Sequence, residues 1–226
     1  MKKIGVLLSG CGVYDGSEIH ESVSTLIALD ELGLEAVCIA PNDTQHHVID
    51  HTKGEEMEPA RNMLVEAARI ARGAILDLAD VKVEDLDGIV IPGGFGGAKN
   101  LSTWAFEGPA GTVREDVASF LKALHQAKKP IVALCVAPVI LAKVFEGAVT
   151  LNMTLGTTEG DSPYDIQGFH DGITSLGAKA EACGLADAVL DEENLIITSP
   201  CYMMEATPSQ ILTGARKACG ALLTLL

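Results

Sequence analysis

Cys135 stands in the run "PIVALCVAP", where an apolar stretch meets a proline. A cysteine at the end of a strand, just before a helix whose first turn holds Pro138, is carried on a sharp turn. The free N–H groups and the positive helix end there favour thiolate over thiol, which is the reactive form. Ala133 and Ala137 take the places that glycines occupy in the G-x-S-x-G elbow, and their small size serves the same steric need. A second reading stays open, since free cysteine is among the most buried residue types and Cys135 can be a small core residue.

Other groups could share chemistry with that sulfur. "IPGGFGGAKNL" places glycines after a strand, but Lys99 stands where G-x-G-x-x-G needs its last glycine, and Ala98-Lys99-Asn100 fails the P-loop pattern. The glycines of this cluster either let backbone N–H groups approach a developing oxyanion or form a flexible turn. Glu18 reads as the partner of Asp15 in a helix-capping box, and Glu21, outside the apolar stripe of that helix, reads as a solvated side chain by periodicity. His46, His47 and His51 include a His-x3-His pair, but they fall in a loop without a matching Cys or carboxylate, so no metal is expected. His20, His125 and His170 are isolated, with His170 expected in a loop. Cys11 and Cys201 follow apolar runs and either line the same crevice or fill the core.

The elements that must position these groups alternate along the chain. "KIGVLLSG", "EAVCIAP", "DLDGIVIPGG" and "PIVALC" are near-continuous apolar runs, as expected of parallel strands buried on both faces, with "AILDLADV" a short extra strand. Helices are expected after Asp15, with Ile19, Val23, Leu26 and Ile27 as the buried stripe, and over "EPARNMLVEAARIARG", "TVREDVASFLKALHQAKK" and "APVILAKVFEG". "ADAVLDEENLIITS" reads as two strands around an acidic turn, and a last helix runs from about Pro208. This is an α/β sheet of one domain, residues 1–226, in which the strand ends at Gly10 to Glu21, Pro92 to Asn100 and Leu134 to Pro138 form the binding crevice.

Composition narrows the partners. A formal net charge of −15 without Lys/Arg clusters disfavours nucleic acid and anionic membranes. Six cysteines without a CxxC pair fit free thiols in a reducing compartment, read here as the cytoplasm. "LLSGC", Leu7 to Cys11, matches a lipoprotein cleavage box, but its apolar core is shorter than the about 7–15 residues a signal requires, so a buried first strand is expected. No apolar segment approaches the roughly 18–20 residues of a membrane span.

Together "SGCGVYDGSEIHES", "IVIPGGFGGAKNL" and "ALCVAP" resemble the ElbB family, named for enhancing lycopene biosynthesis, in the PfpI-like branch of the class I glutamine amidotransferase-like superfamily. The resemblance implies a flavodoxin-like three-layer α/β/α sandwich with a mostly parallel sheet. It implies a reactive Cys135, a helix-borne Glu21 that passes it protons, and an oxyanion site from the N–H groups of Gly93, Gly94 and Val136. Cys11, Glu18, Cys201 and His170 are possible lining residues, and a homodimer is a family-level expectation. Relatives carry a histidine after the cysteine or about twenty positions on, where this chain has Val136 and the stretch containing Thr154, Leu155 and Thr157; the His-x-Glu pair of glutaminases is also missing.

What remains is a Cys–Glu dyad. The resemblance then implies a glyoxalase-type reaction, without cofactor or metal, on a small carbonyl substrate such as glyoxal or methylglyoxal. The alternatives are a cysteine redox sensor linked to isoprenoid biosynthesis and an amide-processing hydrolase.

Overall fold

The computed structural model describes residues 1–226. Strands β1 (Lys3–Leu7), β2 (Glu35–Ala40), β3 (Ile75–Asp77), β4 (Gly88–Ile91), β5 (Ile131–Leu134), β6 (Val189–Asp191) and β7 (Ile196–Ser199) form one sheet in the order β6-β7-β5-β4-β1-β2-β3. All neighbours are parallel except β6 and β7, the two strands around the acidic turn. The apolar runs occupy the middle: every residue of β4, β5 and β7 is buried, as a sheet covered on both faces requires.

The helices are α1 (Ile19–Glu31), α2 (Met63–Ile70), α3 (Phe95–Lys99), α4 (Trp104–Glu107), α5 (Glu115–Gln126), α6 (Pro138–Val144), α7 (Ile166–Ser175) and α8 (Pro208–Thr224). α1 packs against α2 and along α8, while α6 packs against α3, α5 and α7. The result is the flavodoxin-like α/β/α arrangement. Because β2 and β3 lie to one side of β1 and β4, β5 and β7 to the other, the topological switch falls between β1 and β4, where such sheets open their crevice.

The first helix differs from its sequence reading in two ways. Glu18, not Asp15, is its N-cap: the Glu18 carboxylate accepts from Glu21 N–H at 2.7 Å, and Asp15 instead accepts from Ile49 N–H at 2.7 Å across the crevice loops. The buried face is also not the apolar stripe. Ile19, Val23 and Ile27 are 43%, 41% and 39% exposed, whereas Glu21, Ser22, Ser24, Thr25, Ala28 and Leu29 face inward. α8 offers Gly214, Ala215 and Ala218 among its buried residues, so two small-residue faces meet, and Ser22 Oγ–H donates to Glu18 O at 2.6 Å. Backbone proximity decides this face.

α2 is shorter than expected, starting after the cap Asn62, whose side chain accepts from Val65 N–H at 3.0 Å. His170 lies on α7, not in a loop, because Asp165 caps a helix there by accepting from Gly168 N–H at 3.0 Å.

Candidate active site

Cys135 follows β5 in the left-handed region, with φ 58°, and α6 begins three residues later at Pro138. Its N–H donates to Ser199 O of β7 at 2.9 Å, which pins the turn to the neighbouring strand. A non-glycine residue held this way stores about 1–3 kcal/mol of strain, a cost that recurs at functional sites. The residue is only 5% exposed and forms part of a cavity lined by Val13, Phe95, Tyr164, Phe169, Tyr202 and Met203, with Gly94 and Val136. About 30 Å³ is open to water centres. That is room for about two waters.

Glu21 is fully buried beside this sulfur. Its Oε2 accepts from Gly93 N–H at 2.8 Å, its Oε1 accepts from Tyr202 N–H at 3.1 Å, and its carboxyl group packs with the Cys135 thiol against Gly93. Burial, and then the neighbouring Glu18, push its pKa up to about 8, so the carboxylic acid predominates at neutral pH. The surface position expected from periodicity is therefore corrected: Glu21 faces inward between β4 and the turn after β7.

The expected resting thiolate is corrected too. Burial first, then Glu21 and Cys201, raise the Cys135 pKa well above its ordinary value, and the nearby Gly94 N–H opposes them only in part. Desolvating an enclosed sulfur outweighs one N–H donor and the start of a seven-residue helix. Cys135 and Glu21 thus form a coupled pair that rests with protons on it.

The glycines divide the work. Gly93 N–H is committed to Glu21, so this donor holds the acid and is not free for an oxyanion. The N–H groups of Gly94 and Val136 donate to no backbone acceptor and face the cavity region. A Cβ at Gly93 would lie 2.4 Å from Cys135 Cβ and 2.6 Å from Glu21 Oε2, and only a glycine lets the two groups meet. Gly93→Ala is expected to drive Cys135 and Glu21 apart, costing about 1–3 kcal/mol of stability through overpacking and about 10²-fold in any activity that needs both. Urea unfolding and turnover of the same preparation check this; unchanged values for both would show that the contact is slack.

The remaining sequence candidates scatter. Glu18 is buried as the helix cap, 3.9 Å from His20, and burial raises its pKa. Cys201 is fully buried and does not line the cavity; its own left-handed φ of 43° turns the chain so that Tyr202 reaches both Glu21 and the cavity. Cys11 sits half-exposed near Glu66, Arg69 and Asp15, away from the cavity lining. His170 is likewise absent from the lining, which α7 reaches through Phe169. His51 accepts from Tyr14 N–H at 3.2 Å while His46 and His47 pack on Phe106, and no three His, Cys, Asp or Glu side chains converge to hold a metal.

Sequence reasoning missed the walls and one polar pair. Tyr202 Oη and His20 Nδ1 are joined by a 2.8 Å hydrogen bond, with His20 exposed to solvent. The available signal was that β7 ends one strand away from β5, so residues after each must share a rim.

A doubly wound sheet with a left-handed cysteine at a strand-to-helix elbow defines an α/β domain of the class I glutamine amidotransferase-like fold. The chain belongs to the DJ-1/PfpI family, whose model matches residues 11–152. It is 44% identical over 216 residues to the rat "ES1 protein homolog, mitochondrial" (Rattus norvegicus), covering 94% of this chain and 79% of that one. The same identity and coverage hold for the human "Glutamine amidotransferase-like class 1 domain-containing protein 3, mitochondrial" (Homo sapiens). Among solved structures, an isoprenoid biosynthesis protein with amidotransferase-like domain from Ehrlichia chaffeensis superposes with a TM-score of 0.90 at 31% identity, covering 100% of this chain and 99% of that one.

These relatives overturn the cytoplasmic expectation, since the curated proteins from rat and human are both named mitochondrial. Free thiols constrain a redox state, whereas an address is read by receptors and is not a property of the fold.

Proposed function

We propose that this protein is an ElbB-type glyoxalase that converts a 2-oxoaldehyde to a 2-hydroxy acid without cofactor. The observation that carries this reading is the Cys135 thiol at a small apolar cavity, packed with the buried carboxyl group of Glu21 against Gly93. The Glu21 carboxylate takes the thiol proton as the sulfur adds to the aldehyde carbon and passes it to the former carbonyl oxygen, which leaves Glu21 ionised again, with Gly94 and Val136 N–H groups supporting the developing charge. A carboxyl group with a pKa of about 8 exists in both forms near neutrality. As acid it protonates oxygen; as carboxylate it takes the C1 hydrogen as a proton, which is returned at C2 while the proton on the C1 oxygen moves to the C2 oxygen.

The hemithioacetal thereby becomes a hydroxyacyl thioester. C1 is oxidised, C2 is reduced, and no external electron acceptor is needed. Water then cleaves the thioester, restoring the thiol and releasing lactate from methylglyoxal or glycolate from glyoxal. In place of the histidines found in relatives, Tyr202 Oη accepts the water proton while its own passes to His20 Nδ1 and out to solvent.

Formation of lactate from methylglyoxal, saturable and dependent on Cys135, tests the reaction; absence of lactate at any substrate concentration would end it. Tyr202→Phe keeps the ring and the backbone donor to Glu21 but lacks the hydroxyl. It is expected to slow turnover about 10²-fold, the usual weight of one general base, and to accumulate protein bearing a lactoyl group by mass spectrometry. His20→Gln should show the same accumulation more weakly, and free release of lactate in both variants would remove the pair from the mechanism. A redox-sensor reading is disfavoured by the same geometry, because oxidation by peroxide needs an accessible thiolate and Cys135 is an enclosed thiol.

A further inference from the structure

A wider groove adjoins the Cys135 cavity. Tyr14, Ile49, Phe95, Lys99, Pro163 and Tyr164 line it, enclosing about 490 Å³ of open space. Both spaces are bounded by Phe95 and Tyr164, whose rings meet edge to face with centroids 6.1 Å apart. A molecule with its reactive end at Cys135 therefore has a place for a longer tail on the far side of this ring pair.

Lys99 sets the chemistry of that place. It closes α3, directly after the glycines of the elbow, and its half-buried ammonium lies 5.3 Å from the centre of the Phe95 ring. One N–H donates to Tyr14 O at 2.9 Å, and an ammonium has three donors, so two are left without a protein carbonyl. Asp15 and Glu56 act on it only through space, without an ion pair; Asp15 Oδ2 accepts from Ile49 N–H at 2.7 Å and its Oδ1 lies 3.9 Å from His51. In a chain of net charge −15 a partly buried cation without a carboxylate partner, set in an aromatic and apolar groove, is a place for an anion brought by a ligand.

We propose that the groove binds the anionic tail of the substrate, a 2-oxoaldehyde whose aldehyde meets Cys135 and whose terminal carboxylate pairs with Lys99. The assignment rests on the reaction proposed above and names its substrate class. Methylglyoxal would then be a truncated substrate that leaves the groove empty.

Two measurements test it. First, kcat/KM is compared for methylglyoxal, for 4,5-dioxopentanoate and for its homologue two methylenes longer, in the unaltered protein and in Lys99→Met and Lys99→Arg. The preference for at least one carboxylated substrate is expected to fall about tenfold in Lys99→Met, the value of one charge-assisted bond, and to return largely in Lys99→Arg. Second, calorimetric titration of the Cys135→Ala protein with 4-oxopentanoate, which cannot be turned over, is repeated with Lys99→Met added; affinity is expected to fall about tenfold. Turnover with an unmoved preference overturns the groove and leaves the reaction standing. Lys99-dependent binding with no turnover of any substrate supports the groove and sinks the reaction. Absence of Lys99-dependent binding in the second experiment overturns the groove whatever the first one gives.

Discussion

Replacing Cys135 by alanine is expected to lower lactate formation from methylglyoxal by at least about 10³-fold, the scale on which a covalent nucleophile fails when removed. Alanine keeps the Cβ and tolerates φ 58° about as poorly as cysteine does, so the elbow's backbone strain carries over unchanged. The bonds that form the turn, Cys135 N–H to Ser199 O at 2.9 Å and Ala137 N–H to Leu134 O at 2.9 Å, use no side-chain atom. A large activity loss in a folded protein would therefore report the sulfur itself. Cys11→Ala is the matching control, because Cys11 is the most accessible of the cysteines and lies outside the cavity. Lactate formation that survives Cys135→Ala, or disappears with Cys11→Ala, would move the chemistry elsewhere.

The second large effect is a pH dependence of stability that originates at Glu21. In the folded protein this carboxyl titrates at about 8, and in the unfolded chain at its ordinary value near 4.5. Between these values the unfolded chain has released the proton while the folded one retains it; the unfolded state binds fewer protons and stability falls as pH rises. Each pH unit in that window costs about 1.4 kcal/mol, roughly 5 kcal/mol across the whole of it. Below 4.5 both states are protonated and above about 8 both are ionised, so the slope is confined to the interval.

Glu21→Gln removes the titration. The amide also turns an NH₂ group toward one of the two backbone donors, Gly93 N–H or Tyr202 N–H, which costs stability by an amount that does not vary with pH. Urea unfolding at several pH values from 5 to 8 should show the native protein losing its advantage over the variant by several kcal/mol. Parallel curves would mean that Glu21 is ionised throughout, and the acid form on which the proton transfers depend would be lost.

Both expectations come from one feature, the burial of two ionisable groups side by side. Enclosure keeps Glu21 in the form that donates a proton, and it also keeps Cys135 from resting as a thiolate. An enclosed thiol is also a poor target for peroxide, which needs an accessible thiolate. Gly93 is what makes the enclosure possible, because any Cβ would occupy the space where the two groups touch.

The succession of strands and helices along the chain, the elbow at Cys135 and the glycines after β4 were legible in the sequence because each is a local pattern: an apolar run, a turn and a helix start. So was the hairpin of β6 and β7, and the resemblance of three motifs singled out Glu21 by its distance from Gly33. Which face of α1 turns inward was not legible. Periodicity selected Ile19, Val23 and Ile27, but α8 presses small residues against small ones, and close backbone packing overrode the apolar stripe. Protonation states were likewise beyond the sequence, since a pKa is set by how much water a group loses and which neighbours replace it. Tyr202 and Tyr164 come from segments far along the chain from Cys135, and only the folded molecule, by ending β4, β5 and β7 at one rim, brings them to the cavity at Cys135.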